Sequence, residues 1–208
     1  MSRLPRIITG ALLVALTLNL SGCFTLAATG LAVGTMAAID RRTIGAQTED
    51  QAIELKASAA VSRRVADAGG VSVTSFNRRV LLTGQVASQA ERDAAAEAVR
   101  TIDNVASVHN ELVVSGRVGL GVTASDTAIT AKVKTALLRA DGVPANSIKV
   151  VTEASVVYLL GLVTPAESQK AGGIASRVGG VTKVVLLFEP LTAEQAATID
   201  GQRNAAKN

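Results

Sequence analysis

The sequence predicts an α+β fold: two tandem domains, each a three-stranded mixed sheet covered by two helices in the order αββαβ, behind a signal peptide. Three observations predict it. From about residue 48 onward the chain repeats itself once. Each repeat switches between helical and strand periodicity in the same order. The first 22 residues follow the three-part plan of a secretory leader, which is not part of any fold.

The leader comes first. Arg3 and Arg6 form a short basic start, Ile7 to Leu20 an apolar core, and the small residues Ser21 and Gly22 precede Cys23, the only cysteine in the chain. The unbroken apolar part is shorter than the roughly 20 residues of a spanning helix. No charge occurs between Arg6 and Asp40, but Gly22, Gly30 and Gly34 weaken any longer helix through this run. Leu20-Ser21-Gly22-Cys23 resembles the lipobox of bacterial lipoproteins. The resemblance implies cleavage after residue 22, acylation of the Cys23 thiol and a lipidated segment over 23–47. Phe24 after the cysteine, rather than Asp, implies sorting to the outer membrane. The resemblance implies three acyl chains, more than the two signals that stable anchoring takes.

The repeat is read by alignment of the chain on itself. "DQAIELKASAAVSRRV" from Asp50 matches "DTAITAKVKTALLRAD" from Asp126, 76 residues on. "RVLLTGQV" from Arg79 matches "VVYLLGLV" from Val156, and "VASVHNELVV" from Val105 matches "VTKVVLLFEP" from Val181. Repeats of this length are whole small domains rather than solenoid units. The expected domains cover 48–114 and 125–190, with a Gly-rich linker over 115–124 and a tail over 191–208.

Within the first repeat, Thr48 and Gln51 predict a capping box, and Ile53, Ala57, Ala60, Val61 and Val65 share one helical face. Gly69-Gly70 is expected to end this helix. Val71, Val73 and Ser75 alternate as a strand, Asn77 turns, and Val80 to Thr83 return. Ser88 and Glu91 predict a second capped helix ending near Ile102, and Val105 to Val114 a last strand. In the second repeat the opening helix is expected over Ser125 to Arg139, with Ile129, Val133, Ala136 and Leu137 facing the core. Thr164, Pro165 and Glu167 mark the second helix start, Gly179-Gly180 its end, and Val184 to Phe188 the last strand. The crossover makes each sheet mixed, with two helices expected to cover its one buried face. The tail is expected to form one or two helical turns and then fray.

Gly84-Gln85-Val86 and Gly161-Leu162-Val163, with the closing pairs Val105/Val108 and Val181/Val184, resemble the BON domain family. Two such units behind a lipobox resemble the dual-BON outer-membrane lipoproteins, across nearly the whole mature chain except the tail after Pro190. The first repeat departs from the family pattern, carrying Asn104 where the second has Gly180.

Composition narrows the function. Hydrophobic residues make up 48% and aromatics 2%, with no Trp, one Tyr and three Phe, so the core is aliphatic and surfaces for base stacking are scarce. The formal charge of +4 falls to +2 once Arg3 and Arg6 leave, and no dense basic block remains, which argues against a nucleic-acid partner. One cysteine and one histidine, His109, argue against paired-thiol zinc sites and Ser-His triads. His109 aligns with Val185, which fits a sheet position rather than a general base. No cofactor, metal or catalytic residue is expected.

The candidate site is the outward side of the opening helix of repeat two: Thr127, Ala128, Ala131, Lys132, Lys134, Thr135 and Leu138. With Arg139 this helix is basic, and Asp126 is its only acid. A basic helix with an apolar side suits anionic headgroups. The BON resemblance implies phospholipid binding by the second domain, so anionic phospholipid such as phosphatidylglycerol is the expected partner. The resemblance also implies that members of the family can carry an aromatic where Ala128 stands. Envelope integrity and location at division sites follow from the same resemblance. The other reading is an adaptor for envelope or peptidoglycan-remodelling proteins. The first helix of repeat one is near neutral, with Lys56, Arg63 and Arg64 against Glu49, Asp50, Glu54 and Asp67, which suits protein contact or packing on the second domain.

Overall fold

A computed structural model describes residues 40–66, 68–115 and 122–205. The expected leader, Cys23, Asp67 and most of the linker lie outside these. The first domain comprises α1 (Ile44–Ser62), a 3-10 turn at 68–70, β1 (Val71–Phe76), β2 (Arg79–Val86), α2 (Gln89–Arg100), β3 (Ser107–Asn110) and β4 (Val113–Val114). The second comprises α3 (Val122–Leu138), a 3-10 turn at 145–147, β5 (Ile148–Glu153), β6 (Val156–Val163), α4 (Pro165–Ala175) and β7 (Lys183–Pro190). A last helix, α5 (Ala193–Ala205), follows. Each sheet is mixed, as expected: β1 lies antiparallel to β2 and β3 parallel to it, and β5–β6–β7 repeat this order.

Helix starts follow side-chain caps. Ser88 accepts from the Glu91 N–H, and Thr164 with Glu167 forms a reciprocal capping box. The expected box at Thr48 and Gln51 does not form. Thr43 caps α1 by accepting from the Ala46 N–H, so the helix starts a turn earlier and the Thr48 hydroxyl donates to the Ile44 carbonyl inside it. The glycine pairs do not end the first helix of repeat one or the second helix of repeat two; α1 stops at Ser62 and α4 at Ala175. α3 starts at Val122, inside the expected linker. The last strand of repeat one is split. Leu112 turns into the core, where it is 3% exposed, and Asn110 holds the break by accepting from its N–H.

Both hairpins turn through two residues of positive φ: Asn77 and Arg78 in the first, Ala154 and Ser155 in the second. Ala and Ser are poorly suited to that geometry. Buried carboxylates compensate. Asp50 accepts from the N–H groups of Asn77 and Arg78 and from the Ser75 hydroxyl. Asp126 accepts from the N–H groups of Ala154 and Ser155. The residues that open the sequence repeat therefore bind each opening helix to its hairpin. Gly84 and Gly161 allow close strand approach; a Cβ at Gly84 would stand 1.9 Å from the Gly70 carbonyl oxygen.

The helices cover one face of each sheet. On that face Ile53, Ala57, Val61, Val80, Leu82 and Val99 pack in the first domain, and Ile129, Val133, Leu137, Val157, Leu159 and Ala171 in the second. The expectation of a single buried face is too low by one. Phe76 and Leu81 of the first sheet pack against Tyr158, Leu160 and Leu162 of the second, so the sheets stand back to back. Their own strands supplied the signal. A run such as Val156 to Val163 is apolar at nearly every position, as strands buried on both faces are.

Polar contacts fasten this joint. Lys149 pairs with Glu54 at 2.8 Å, and Asn77 donates to Glu189. Arg42 pairs with Asp40 and Asp50 and stacks over the Phe76 ring at 4.0 Å. Arg41 crosses to the second domain. Its side chain is 3% exposed, and its guanidinium donates to Glu167, Asp200 and the Leu162 carbonyl. The bond to Asp200 is the main reason its pKa is raised; burial opposes it, and Glu167 adds to it. Asp200 belongs to α5, and Arg203 donates to the Arg42 carbonyl. The tail is thus a docked 13-residue helix, not a frayed turn or two.

Two outcomes follow. Arg41→Ala leaves two carboxylates facing each other; with Asp200 half-exposed, the loss is about 2–4 kcal/mol, below the 3–5 of a fully buried pair, read in urea melts. Asn and Gly at positions 154 and 155, residues that accept positive φ, raise stability by about 1 kcal/mol.

Candidate functional site

The candidate face is built by α3. Ile129, Val133 and Leu137 are 3%, 0% and 1% exposed and seat the helix on its sheet, while Ala136 is half-buried. The 100° step per residue then turns the opposite side to solvent. All seven candidates, Thr127, Ala128, Ala131, Lys132, Lys134, Thr135 and Leu138, lie exposed on α3. Leu138 is 61% exposed despite being a large aliphatic side chain.

Electrostatics sharpens the face beyond the sequence count. Asp126, the one acid of the helix, is 8% exposed and is turned inward onto the hairpin N–H groups. Lys132, Lys134 and Arg139 are exposed. The outward side is therefore cationic.

An open groove of about 220 Å³ runs beside the C-terminal half of α3. It is lined by Lys134, Leu137 and Leu138 of α3 and by Ala145, Asn146 and Ile148 of the turn and strand that follow. Sequence reasoning missed this groove, because its second wall comes from the 3-10 turn at 145–147, which has no periodicity. The root of the N-terminal segment meets the same turn: the Arg41 N–H donates to Ser147 Oγ at 3.1 Å. The first described residues thus start one position from the groove wall.

A family model of the BON domain matches residues 49–116 and 125–189. The chain is 36% identical to the outer membrane lipoprotein DolP of Haemophilus influenzae over 183 residues, 87% of this chain and 95% of that protein. This chain belongs to the dual-BON DolP family. It is also 30% identical over 149 residues to a 21 kDa hemolysin of Actinobacillus pleuropneumoniae, covering 71% of this chain and 77% of the other. With the osmotically-inducible protein Y of Escherichia coli K12 it shares 36% identity over 145 residues, 68% and 72% of the two chains. Family membership makes this chain an outer-membrane lipoprotein of the cell envelope. Among the described residues no helix is long and apolar enough to cross a membrane.

His109 lies on β3 opposite Leu81, on the strand face that looks toward the second domain. It is half-buried, and its Nε2 is shielded from solvent without a hydrogen-bond partner. Desolvation, then the nearby Arg79 charge, lower its pKa from 6.5, with Glu111 opposing. The same environment pushes the Tyr158 hydroxyl up to about 12, through burial first and then Glu111 and Glu153. These are properties of the domain joint, and they favour a neutral imidazole.

The sign of the pH effect follows. A lowered folded pKa means that the unfolded chain binds the proton more readily. The stability tied to neutral His109 is present above pH 6.5 and is lost as pH falls through the folded value. Urea melts at pH 7.5 and pH 5 are expected to show a smaller acid loss for His109→Val, the residue its duplicate carries at 185. An unchanged pH slope would assign the acid sensitivity to other groups.

Proposed function

We propose that this lipoprotein is tethered to the outer membrane by acyl chains on Cys23 and binds anionic phospholipid, such as phosphatidylglycerol, through the outward face of α3. The observation that carries this reading is the withdrawal of Asp126. The helix keeps Lys132, Lys134 and Arg139 on its exposed sides with no acid of its own beside them. Each basic side chain at an anionic surface contributes about 1 kcal/mol, and Leu138 adds apolar burial in the headgroup layer. The weak electrostatics of one helix suffice because the tether already confines the protein to the membrane. Ala128 supplies no aromatic anchor, so charge carries more of the attachment and salt weakens it. A non-enzymatic part in envelope integrity, with recruitment to division sites, is the role this binding would serve.

The root of the tether at Ser147 supports the same reading. Residues 24–39 span at most about 55 Å when extended. They join the folded body at the turn that also walls the α3 groove. The described root of the predicted tether, at Arg41, is therefore close to the turn that walls the α3 groove.

Residues 24–208, without leader or Cys23, are expected to co-sediment with phosphatidylglycerol vesicles and not with phosphatidylcholine vesicles. Equal partition between the two would remove the lipid reading. Lys134→Glu with Leu138→Glu reverses one charge, adds a second carboxylate and removes the apolar contact, and is expected to weaken anionic binding more than tenfold; retained binding would move the site elsewhere. Intact mass of the membrane-extracted protein should show loss of residues 1–22 and addition of acyl chains. An unprocessed mass would refute attachment at Cys23.

A further inference from the structure

The seam between α3 and α4 gathers four cations from two helices. The helices run antiparallel. A Cβ at Gly180, past the end of α4, would stand 3.1 Å from Ile129 near the start of α3, and one at Gly142, past the end of α3, would stand 3.4 Å from Lys170 Nζ on α4. The 100° step puts Lys132 and Arg139 on one flank of α3 and Lys134 and Leu138 on the other. The Lys134 flank faces β5, where Thr130 bonds Thr152 and Ile148 lines the groove. Lys132 and Arg139 therefore face α4. On α4, Gly172 lies against Leu186 of β7, 3.2 Å from a Cβ placed there, so the opposite flank, with Lys170, faces α3. Arg177 follows on the next turn, and its Nη1 lies 3.9 Å from a Cβ placed on the outward Gly173. Lys132, Arg139, Lys170 and Arg177 are all exposed, and none has an ion-pair partner among the described residues.

The acids that could neutralise this layer are held elsewhere. Asp126, the one acid of α3, accepts from the hairpin, and Glu167, the one acid of α4, accepts from Arg41 and from the Thr164 N–H. Asp141, on the turn after α3, is exposed and forms no ion pair among the described residues. The first domain is built otherwise. Its cap at Ser88 and Glu91 aligns α2 with α4, capped at Thr164 and Glu167. Ala94 and Thr101 then stand where Lys170 and Arg177 stand, and the exposed Asp93 and Glu97 stand where Gln169 and Gly173 stand. The arginines of α2 are engaged, Arg92 on the Asn110 carbonyl and Arg100 on Glu97. The outward stripe of α1, from Ile44 through Thr48 and Gln51 to Leu55, carries no charge. Cations without partners thus mark both helices of the second domain.

We propose that Lys170 and Arg177 contact lipid phosphates, so that the second domain meets anionic phospholipid with α4 as well as α3. This rests on the lipid reading above and extends it to a second helix. By the antiparallel register Lys132 falls toward Arg177, and Arg139 toward Lys170. Cations held beside each other repel, and a phosphate between them relieves that repulsion. Arginine adds a planar fork that matches two phosphate oxygens. The two pairs are seven residues apart on α3, about 10 Å at 1.5 Å per residue. A plane of headgroups fills both seats at once, whereas one free anion fills one. The domain therefore lies with its helical layer flat on the membrane rather than on the edge of α3.

The test is sedimentation of residues 24–208 with phosphatidylglycerol vesicles. Lys170→Gln with Arg177→Gln is expected to weaken binding about ten- to thirtyfold, the loss of two cations at an anionic surface. Arg63→Gln with Arg64→Gln makes the same change in net charge on exposed residues of the first domain, and is expected to change binding by less than about twofold, since salt screens distant charges. Lys170→Arg with Arg177→Lys keeps both charges and is expected to keep binding. The four positions are exposed, so circular dichroism and urea melts should match the parent. Phosphatidylglycerol vesicles are also expected to shield the Lys170 amine from acylation, and inorganic phosphate at equal phosphate concentration is not. Parent-like binding by the Lys170 and Arg177 glutamine variant would overturn contact through α4 and leave the α3 reading standing. An equal loss in the Arg63 and Arg64 variant would overturn it too, because only net charge would then be read. Shielding of Lys170 by inorganic phosphate alone would overturn a lipid as the occupant. A parent chain that ignores phosphatidylglycerol would overturn both readings together.

Discussion

Each sheet in this protein is one layer thick and carries apolar side chains on both sides, few on the outer face of the first sheet and many on that of the second. Helices cover one side, and the second side has no cover within its own repeat. The packing of Tyr158, Leu160 and Leu162 against Phe76 and Leu81 meets that need and sets the architecture. With the sheets back to back, the helical layers become the two outsides of the molecule. α1 and α3 therefore point away from the joint, and their outward stripes are left as working surface. The joint also explains the position of the polar fasteners. Lys149 and Asn77 tie its rim across the two domains, where the Lys149–Glu54 pair keeps partial contact with water and loses less by pairing, while Arg41 is held buried against the second domain.

Duplication makes it possible to separate what the fold needs from what each copy does. Asp50 and Asp126 do the same work, holding a two-residue turn from the first helix. Gly84 and Gly161 occupy the same tight strand crossing. These are requirements of the αββαβ unit. The outward stripes, by contrast, share geometry and not chemistry: one is uncharged, and the other carries lysine. His109 and Val185 occupy the same register position of the two repeats, both on the side of the joint, so the fold itself does not require either side chain.

The fold was legible because its units repeat and because periodicity marks elements in contact with a core. The helix core faces of Ile53, Ala57, Ala60 and Val61, and of Ile129, Val133 and Leu137, are buried as spacing requires. The α3 candidates are exposed for the same reason. What escaped the sequence depends on distant residues. Arg41 looks like one more charge after an apolar run, and its partners lie 126 and 159 residues away. The role of Asp126 was hidden because an acid near a helix start reads as a dipole partner, while its actual acceptor geometry comes from a hairpin 28 residues on. The helix at 193–205 has weak amphipathicity, so its order comes from the docking of Asp200 and Arg203 rather than from its own pattern.

Arg41 belongs to neither repeat, yet it is saturated by one of them and by the helix that follows it. The chain has thereby lost the modularity with which a duplication begins. A second repeat expressed alone would keep its helices and sheet, but it would present Tyr158, Leu160 and Leu162 to water and bring Glu167 and Asp200 together without their cation. Natural rearrangements that shuffle single units out of this arrangement would pass through such a sticky, self-repelling intermediate. Within this chain the two repeats are bound into one object, and they differ most on their two outer helices.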